Sequence, residues 1–102
     1  MTFEEIFLRL RSWAEERSID TYSEKQMIKL FEEVGELSEA ILKGKKEQEQ
    51  DSVGDILVVL NILCLQRDID PVRCLEQAYR VIEHRTGKTV NGTFIKTEDL
   101  EG

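Results

Sequence analysis

The apolar run from Ile56 to Leu65 restricts the fold of this 102-residue chain more than any other feature. Asn61 is the one polar residue within it, so a helix built from this run is apolar on nearly every side. Leaving apolar surface in water costs about 25 cal/mol for each Å². We therefore predict that this segment forms the central helix of an all-α, bundle-like protein.

Apolar residues at helical spacing predict four helices in a single domain, residues 1–102. The predicted helices span about residues 2–17, 23–43, 48–67 and 71–85. The last should begin at Pro71, because proline is common at the first helical position. In the tail, residues 86–102, Asn91-Gly92 fits either a small hairpin or an extended arm. We expect the extended arm, since two such short strands are marginal alone.

The fourth predicted helix should bury one apolar face against the rest of the bundle. The residues of that face are Cys74, Leu75, Ala78, Tyr79 and Ile82. Cys64 and Cys74 lack the spacing of a metal site, and we interpret both as reduced core residues rather than as a disulfide.

The charge balance excludes several classes of protein. The chain has 14 Lys and Arg against 21 Asp and Glu, a formal net charge of -7, so we expect no direct binding to nucleic acid. No stretch approaches 18 uncharged apolar residues, and the N-terminal segment has acids where a secretory signal would be basic. We therefore predict a cytoplasmic protein without a membrane segment.

Two predicted helices carry acids beside their apolar residues. Glu33 and Glu36 lie about 60° apart on the helical wheel, and Asp51 and Asp55 about 40° apart on the next helix. Carboxylates that meet near a core repel one another unless protons or cations intervene, and Mg²⁺ and Mn²⁺ prefer such oxygen ligands. An ordinary solvated helix face explains the same spacing, so the pattern alone leaves both interpretations open.

The two motifs EEVGE (residues 32–36) and DSVGD (residues 51–55) resemble those of the MazG-type nucleoside triphosphate pyrophosphohydrolases, in the all-α NTP pyrophosphatase superfamily. That family carries Glu-Glu-x-x-Glu on one helix and Glu-x-x-Asp on the next. Direct matches are Glu32, Glu33, Glu36 and Asp55, whereas Ser52 stands where the first acid of the second motif is expected. The run RTGKTVNGTFIK (residues 85–96) also resembles short, stand-alone MazG-like proteins, including phage-encoded ones.

The resemblance implies hydrolysis of a nucleoside triphosphate, a deoxynucleotide or a non-canonical one, to a nucleoside monophosphate and pyrophosphate. It implies Mg²⁺, or Mn²⁺, held by Glu33, Glu36 and Asp55, with Asp51 assisting in place of the acid missing at Ser52. Glu32 or Glu36 would orient the attacking water. A non-catalytic or regulatory helical oligomerisation module that lost its activity through Ser52 is the alternative.

Binding of the nucleotide requires cations for the phosphates and a surface for the base. The candidates are Trp13, Lys29, Asn61, Arg80, Arg85, Lys88 and Lys96. For the cations a solvated surface position is the alternative, for Trp13 packing in the core, and for Asn61 an interhelical hydrogen bond.

The chain is short for the amount of apolar surface that its third helix presents. Self-association would cover that surface, so we predict a homodimer or a homotetramer.

Overall fold

The computed structural model describes residues 1–19 and 22–101. Its elements in chain order are α1 (Phe3–Glu16), α2 (Ser23–Leu42), α3 (Lys46–Gln66), α4 (Pro71–Ile82), β1 (Gly87–Val90), β2 (Thr93–Lys96) and α5 (Thr97–Glu101). The four predicted helices are confirmed, with ends that agree within three residues. The short α5 and the two strands were not predicted. The chain divides into two compact units, Met1–Pro71 and Val72–Gly102.

The first unit is a helical hairpin with a third helix added. α2 packs along α3, and α1 also contacts α3, so the third helix is central within this unit as predicted. The Lys45 amide donates to the Ala40 carbonyl oxygen at 2.9 Å and ends α2, which sets the short turn into α3. The buried apolar residues are Phe7, Ala14, Ala40, Val59 and Ile62.

Much apolar surface of the first unit remains exposed to solvent. On α2 the side chains of Phe31 and Leu42 are 70% and 84% exposed, and on α3 those of Leu57 and Leu60 are exposed as well. The described part of the chain therefore does not cover its central helix on all sides.

The fourth helix begins the second unit, and within that unit it does not bury the apolar face that we predicted for it. No residue of α4 is buried, and Leu75, in the middle of its apolar face, is 64% exposed. Cys74 is exposed and Cys64 is half-buried, so neither lies in the core, although the two form no disulfide, as predicted. Periodicity identifies which face of a helix is apolar, but it does not identify what covers that face.

The predicted extended arm is also wrong, because the tail forms an antiparallel hairpin. β1 pairs with β2 so that Gly87 lies opposite Lys96 and Val90 opposite Thr93. The turn residues Asn91 and Gly92 both have positive φ, 51° and 80°, as a type I′ turn requires.

Two additional features close the base of this hairpin. The Thr97 amide donates to the Thr86 carbonyl oxygen at 2.8 Å, and the Thr97 hydroxyl donates to the Thr86 hydroxyl oxygen at 2.7 Å. The short α5 also contacts both strands. These contacts add the stability that an isolated hairpin of two four-residue strands lacks.

None of the helices within residues 1–19 and 22–101 has the length and apolar character needed to cross a bilayer.

Candidate acidic site

Packing of α2 on α3 brings three of the predicted acids together. The pKa of Glu33 is raised above its ordinary value of 4.5, first by burial, then by the charges of Glu36 and Asp55 and by a hydrogen bond shared with Glu36. The charge of Lys29 partly offsets this increase. Glu33, Glu36, Asp55 and Lys29 are therefore close enough to interact, and Glu33 is at the centre of the group.

One oxygen of this group has no partner. The Oε2 atom of Glu33 is buried and accepts no hydrogen bond. An unpaired buried carboxylate oxygen is costly, and a proton or a cation would satisfy it. Hard oxygen donors of this kind suit Mg²⁺ or Mn²⁺.

These carboxyl groups nevertheless do not form a complete metal site. Within residues 1–19 and 22–101, no group of three or more His, Cys, Asp or Glu side chains is arranged so as to hold a metal ion. The carboxylate oxygens of Glu33, Glu36 and Asp55 are suitable ligands for a divalent cation. As they are placed, they would not complete its coordination, and further ligands would have to come from other groups.

Asp51 lies in a different setting from the central group. It is exposed and lines a depression of about 430 Å³ together with Lys45, Lys46, Glu47 and Gln48. Its charge is not among those that raise the pKa of Glu33. The neighbouring Ser52 is only 3% exposed, so the position where the family motif has an acid is a buried one.

Two further acids of α2, Glu32 and Glu39, lie on its solvent side. Glu32 is exposed. Glu39 pairs with Lys43, and the hydrogen bond and charge of that lysine lower the pKa of the Glu39 carboxyl. This division agrees with the helical wheel, on which these two acids face away from Glu33 and Glu36.

For Trp13 and Asn61 the structure disagrees with the structural alternatives, which were core packing and an interhelical hydrogen bond. Trp13 is exposed rather than in the core, and the guanidinium carbon of Arg17 lies 4.4 Å from the centroid of its ring. Asn61 is 6% exposed and donates its amide to the Leu57 carbonyl oxygen at 2.6 Å. That bond is within α3 rather than between helices, and the Oδ1 atom of Asn61 has no partner.

The remaining candidate cations belong to the second unit. Arg80 is already paired with Glu76 at 2.6 Å. Arg85 and Lys96 line one depression of about 310 Å³ with Thr86, Thr97 and Glu98. Lys88 lies on β1 opposite Ile95.

Three residues of that depression were missed by the prediction from sequence. Thr86, Thr97 and Glu98 gave no signal of their own. The Asn91-Gly92 turn was the available signal, because pairing outward from it places the two threonines beside each other.

Comparison with known proteins matches residues 22–89 to the family described as the MazG nucleotide pyrophosphohydrolase domain. A protein of Haemophilus phage HP1 (strain HP1c1), called an uncharacterized 18.2 kDa protein in the rep-hol intergenic region, is 41% identical over 71 residues. The aligned part is 68% of this chain and 44% of the phage protein, so the chain spans less than half the length of that relative. No solved structure matches the chain.

The raised pKa of Glu33 predicts a pH-dependent gain in stability when its charge is removed. The folded chain holds the Glu33 proton more tightly than the unfolded chain does. The resulting stabilisation is complete below pH 4.5 and is lost as the pH rises through the raised pKa. Glu33→Gln should therefore melt at a higher temperature than the wild type near pH 7 in the presence of a chelator.

Thermal unfolding followed by circular dichroism at about pH 4 and about pH 7 measures this effect. The gain should shrink at the lower pH, and the exposed neighbour Glu32→Gln should show no gain at either pH. A Glu33→Gln melting temperature equal to or below that of the wild type near pH 7 would contradict the prediction.

Proposed function

The chain belongs to the MazG nucleotide pyrophosphohydrolase family, and we propose that it hydrolyses nucleoside triphosphates to a nucleoside monophosphate and pyrophosphate. The substrate class we propose is a deoxynucleoside triphosphate or a non-canonical nucleotide. The observation that carries the proposal is the buried, unpartnered Oε2 atom of Glu33 beside Glu36 and Asp55. A site that binds no cation has little reason to hold three carboxyl groups together at this cost.

The residues proposed to hold Mg²⁺ or Mn²⁺ are Glu33, Glu36 and Asp55, with Asp51 assisting. A bound divalent cation would neutralise phosphate oxygens and promote attack of water on the α-phosphorus. The attack breaks the bond between that phosphorus and the oxygen bridging to the β-phosphate, and the oxygen leaves with pyrophosphate. Of the two acids considered for orienting the water, Glu36 is the one we propose, because Glu32 lies on the solvent side of α2; Glu36 would accept a hydrogen bond from the water.

The cations proposed to bind the triphosphate are Lys29, Arg80, Arg85, Lys88 and Lys96. Lys29 is the best supported, because its charge already acts on Glu33. Arg80 would have to exchange its contact with Glu76 for a phosphate. Breaking this contact costs little free energy, since an exposed ion pair contributes about 0 to 1 kcal/mol to stability.

Two residues are proposed to contact the nucleobase. Trp13 has an exposed ring, and aromatic rings stack on bases without strong preference among them. Asn61 has a free Oδ1 atom that would accept a hydrogen bond from a base edge.

The protein is proposed to act as a homodimer or a homotetramer. Support comes from the apolar surface left open on α2 and α3, with Phe31 70% exposed, and from the uncovered apolar face of α4. Contiguous apolar surface of this kind marks an interaction site in soluble proteins. A second copy would also bring further groups toward the incomplete ligand set around Glu33.

The proposed activity predicts that Asp55→Asn removes hydrolysis and metal binding together. Mg²⁺ should raise the melting temperature of the wild type, because a ligand that binds only the folded state stabilises it. In Asp55→Asn that increase should vanish and turnover should fall by about 100-fold or more. Pyrophosphate release over a panel of canonical and modified nucleotides, with and without Mg²⁺, is the measurement.

Asp68→Asn serves as the matched control, because Asp68 is an exposed acid after α3 whose positive φ of 55° suits asparagine. It should retain both the metal-induced stabilisation and the activity. Full activity in excess chelator would contradict the proposal. Metal-induced stabilisation without release of pyrophosphate from any nucleotide would favour the non-catalytic module instead.

The assisting role of Asp51 predicts a specific order of effects among four variants. Asp51→Asn should reduce turnover nearly as much as Glu36→Gln, whereas Ser52→Ala should have little effect, because a hydroxyl is a weak ligand for Mg²⁺. Ser52→Glu places a carboxylate at a position only 3% exposed, so it should lower the melting temperature in chelator.

Metal affinity and turnover of the four variants decide between two accounts. If Asp51 contacts only solvent and its neighbouring lysines, Asp51→Asn will be silent. Mg²⁺ will then bind Ser52→Glu more tightly than the wild type, which is the opposite order of effects.

The proposed assembly predicts a dimer or a larger species at micromolar concentration. The apolar surface on α2, α3 and α4 would be buried in it, which is the largest favourable contribution that a chain of this size has available. Multi-angle light scattering of the full chain measures the mass. A mass of 11.9 kDa, that of the single chain, would contradict this prediction.

A further inference from the structure

The second unit contains a depression that faces solvent between the base of the hairpin and α5. Its volume is about 310 Å³, and its lining is Arg85, Thr86, Lys96, Thr97 and Glu98. Binding sites for small molecules have volumes of about 300 to 1,000 Å³, so this one suits a small ligand. Residues beyond position 89 also lie outside the match to the family.

The backbone around this depression is held by several short contacts. The two hydrogen bonds between Thr86 and Thr97 join its two sides. Gly87 lies opposite Lys96, and a Cβ atom at Gly87 would stand 2.1 Å from the Ile95 carbonyl oxygen and 2.8 Å from the ring of Phe94. The β2 backbone and the Phe94 ring therefore leave no room for a side chain at position 87. The pairing of Gly87 with Lys96 also fixes the position from which the Lys96 side chain starts.

The charges that line the depression are unbalanced. Arg85 and Lys96 form no ion pair with a carboxylate in the described ranges, in contrast to Arg11, Lys43 and Arg80, which each pair with a glutamate. Residues 84–96 contain Arg85, Lys88 and Lys96 and no acid. Glu98 is the one acid in the lining, and it does not pair with either cation.

We propose that this depression binds pyrophosphate or the terminal diphosphate of a nucleotide through Arg85 and Lys96. A guanidinium group donates two parallel hydrogen bonds to phosphate oxygens, and a lysine ammonium adds a point charge. The hydroxyl groups of Thr86 and Thr97 offer further donors at the same place. The identity of the ligand rests on the proposed function, whereas the position of the site rests on the hairpin alone.

Calorimetric titration of the full chain with inorganic pyrophosphate in excess chelator tests the proposal. The wild type should bind, and Arg85→Gln and Lys96→Gln should each weaken binding about tenfold or more. Glu98→Gln should tighten binding, because it removes a like charge from the lining. Arg67→Gln, an exposed arginine in the first unit, is the matched control and should bind as the wild type does.

Lys88→Gln tests the geometry within the hairpin. Residues that are adjacent along a strand point to opposite faces, and residues directly opposite each other share a face. Lys88 pairs with Ile95 and so projects from the face opposite that of Lys96. Its substitution should weaken pyrophosphate binding less than Lys96→Gln does. Unchanged binding in Lys96→Gln, or an equal loss in Arg67→Gln or Lys88→Gln, would overturn the proposal.

The same measurements separate this inference from the proposed function. Nucleotide hydrolysis with no loss of pyrophosphate affinity in Lys96→Gln would refute the hairpin site alone. Pyrophosphate binding that depends on Arg85 and Lys96, in a chain that hydrolyses no nucleotide, would support the hairpin site and refute the enzymatic proposal. An amide correlation spectrum of each variant confirms that the hairpin remains folded.

Discussion

The packing of α2 against α3 is the interaction on which the candidate site depends. Glu33 and Asp55 belong to different helices, and their charges act on each other because these helices lie side by side. The same packing buries the Oε2 atom of Glu33 and leaves it without a partner. Under the proposed function, stability and cation binding oppose each other here, since a carboxylate that is costly to bury is one that would bind a cation strongly.

The second constraint is the amount of apolar surface that the chain leaves uncovered. A protein of 102 residues buries a smaller fraction of its surface than a large one does, and among the residues that the structure describes the buried apolar ones all belong to the first unit. The proposed second copy of the chain would cover the open faces of α2, α3 and α4 and would bring further groups toward the incomplete ligand set around Glu33.

The parts of the structure that depend on local sequence were predictable, and those that depend on distant contacts were not. The helices follow from periodicity, and the grouping of Glu33 with Glu36 follows from helical geometry. Asp51 shows what the helical wheel leaves out. It lies near Asp55 on the wheel, but four residues correspond to about 6 Å along the helix axis. Asp51 therefore lies toward the start of α3, where it lines a depression with Lys45 and Lys46. The hairpin was missed because the hydrogen bonds of Thr97 to Thr86, which close its base, lie beyond the turn itself.

The short turn between α2 and α3 also has a consequence for how the chain folds. Contacts across a helical hairpin join residues close in sequence, and chains rich in such contacts fold within about microseconds to milliseconds. We therefore expect the acids of the site to meet early in folding. Their mutual repulsion would then oppose that step, and divalent cations or low pH should accelerate it as well as stabilise its product.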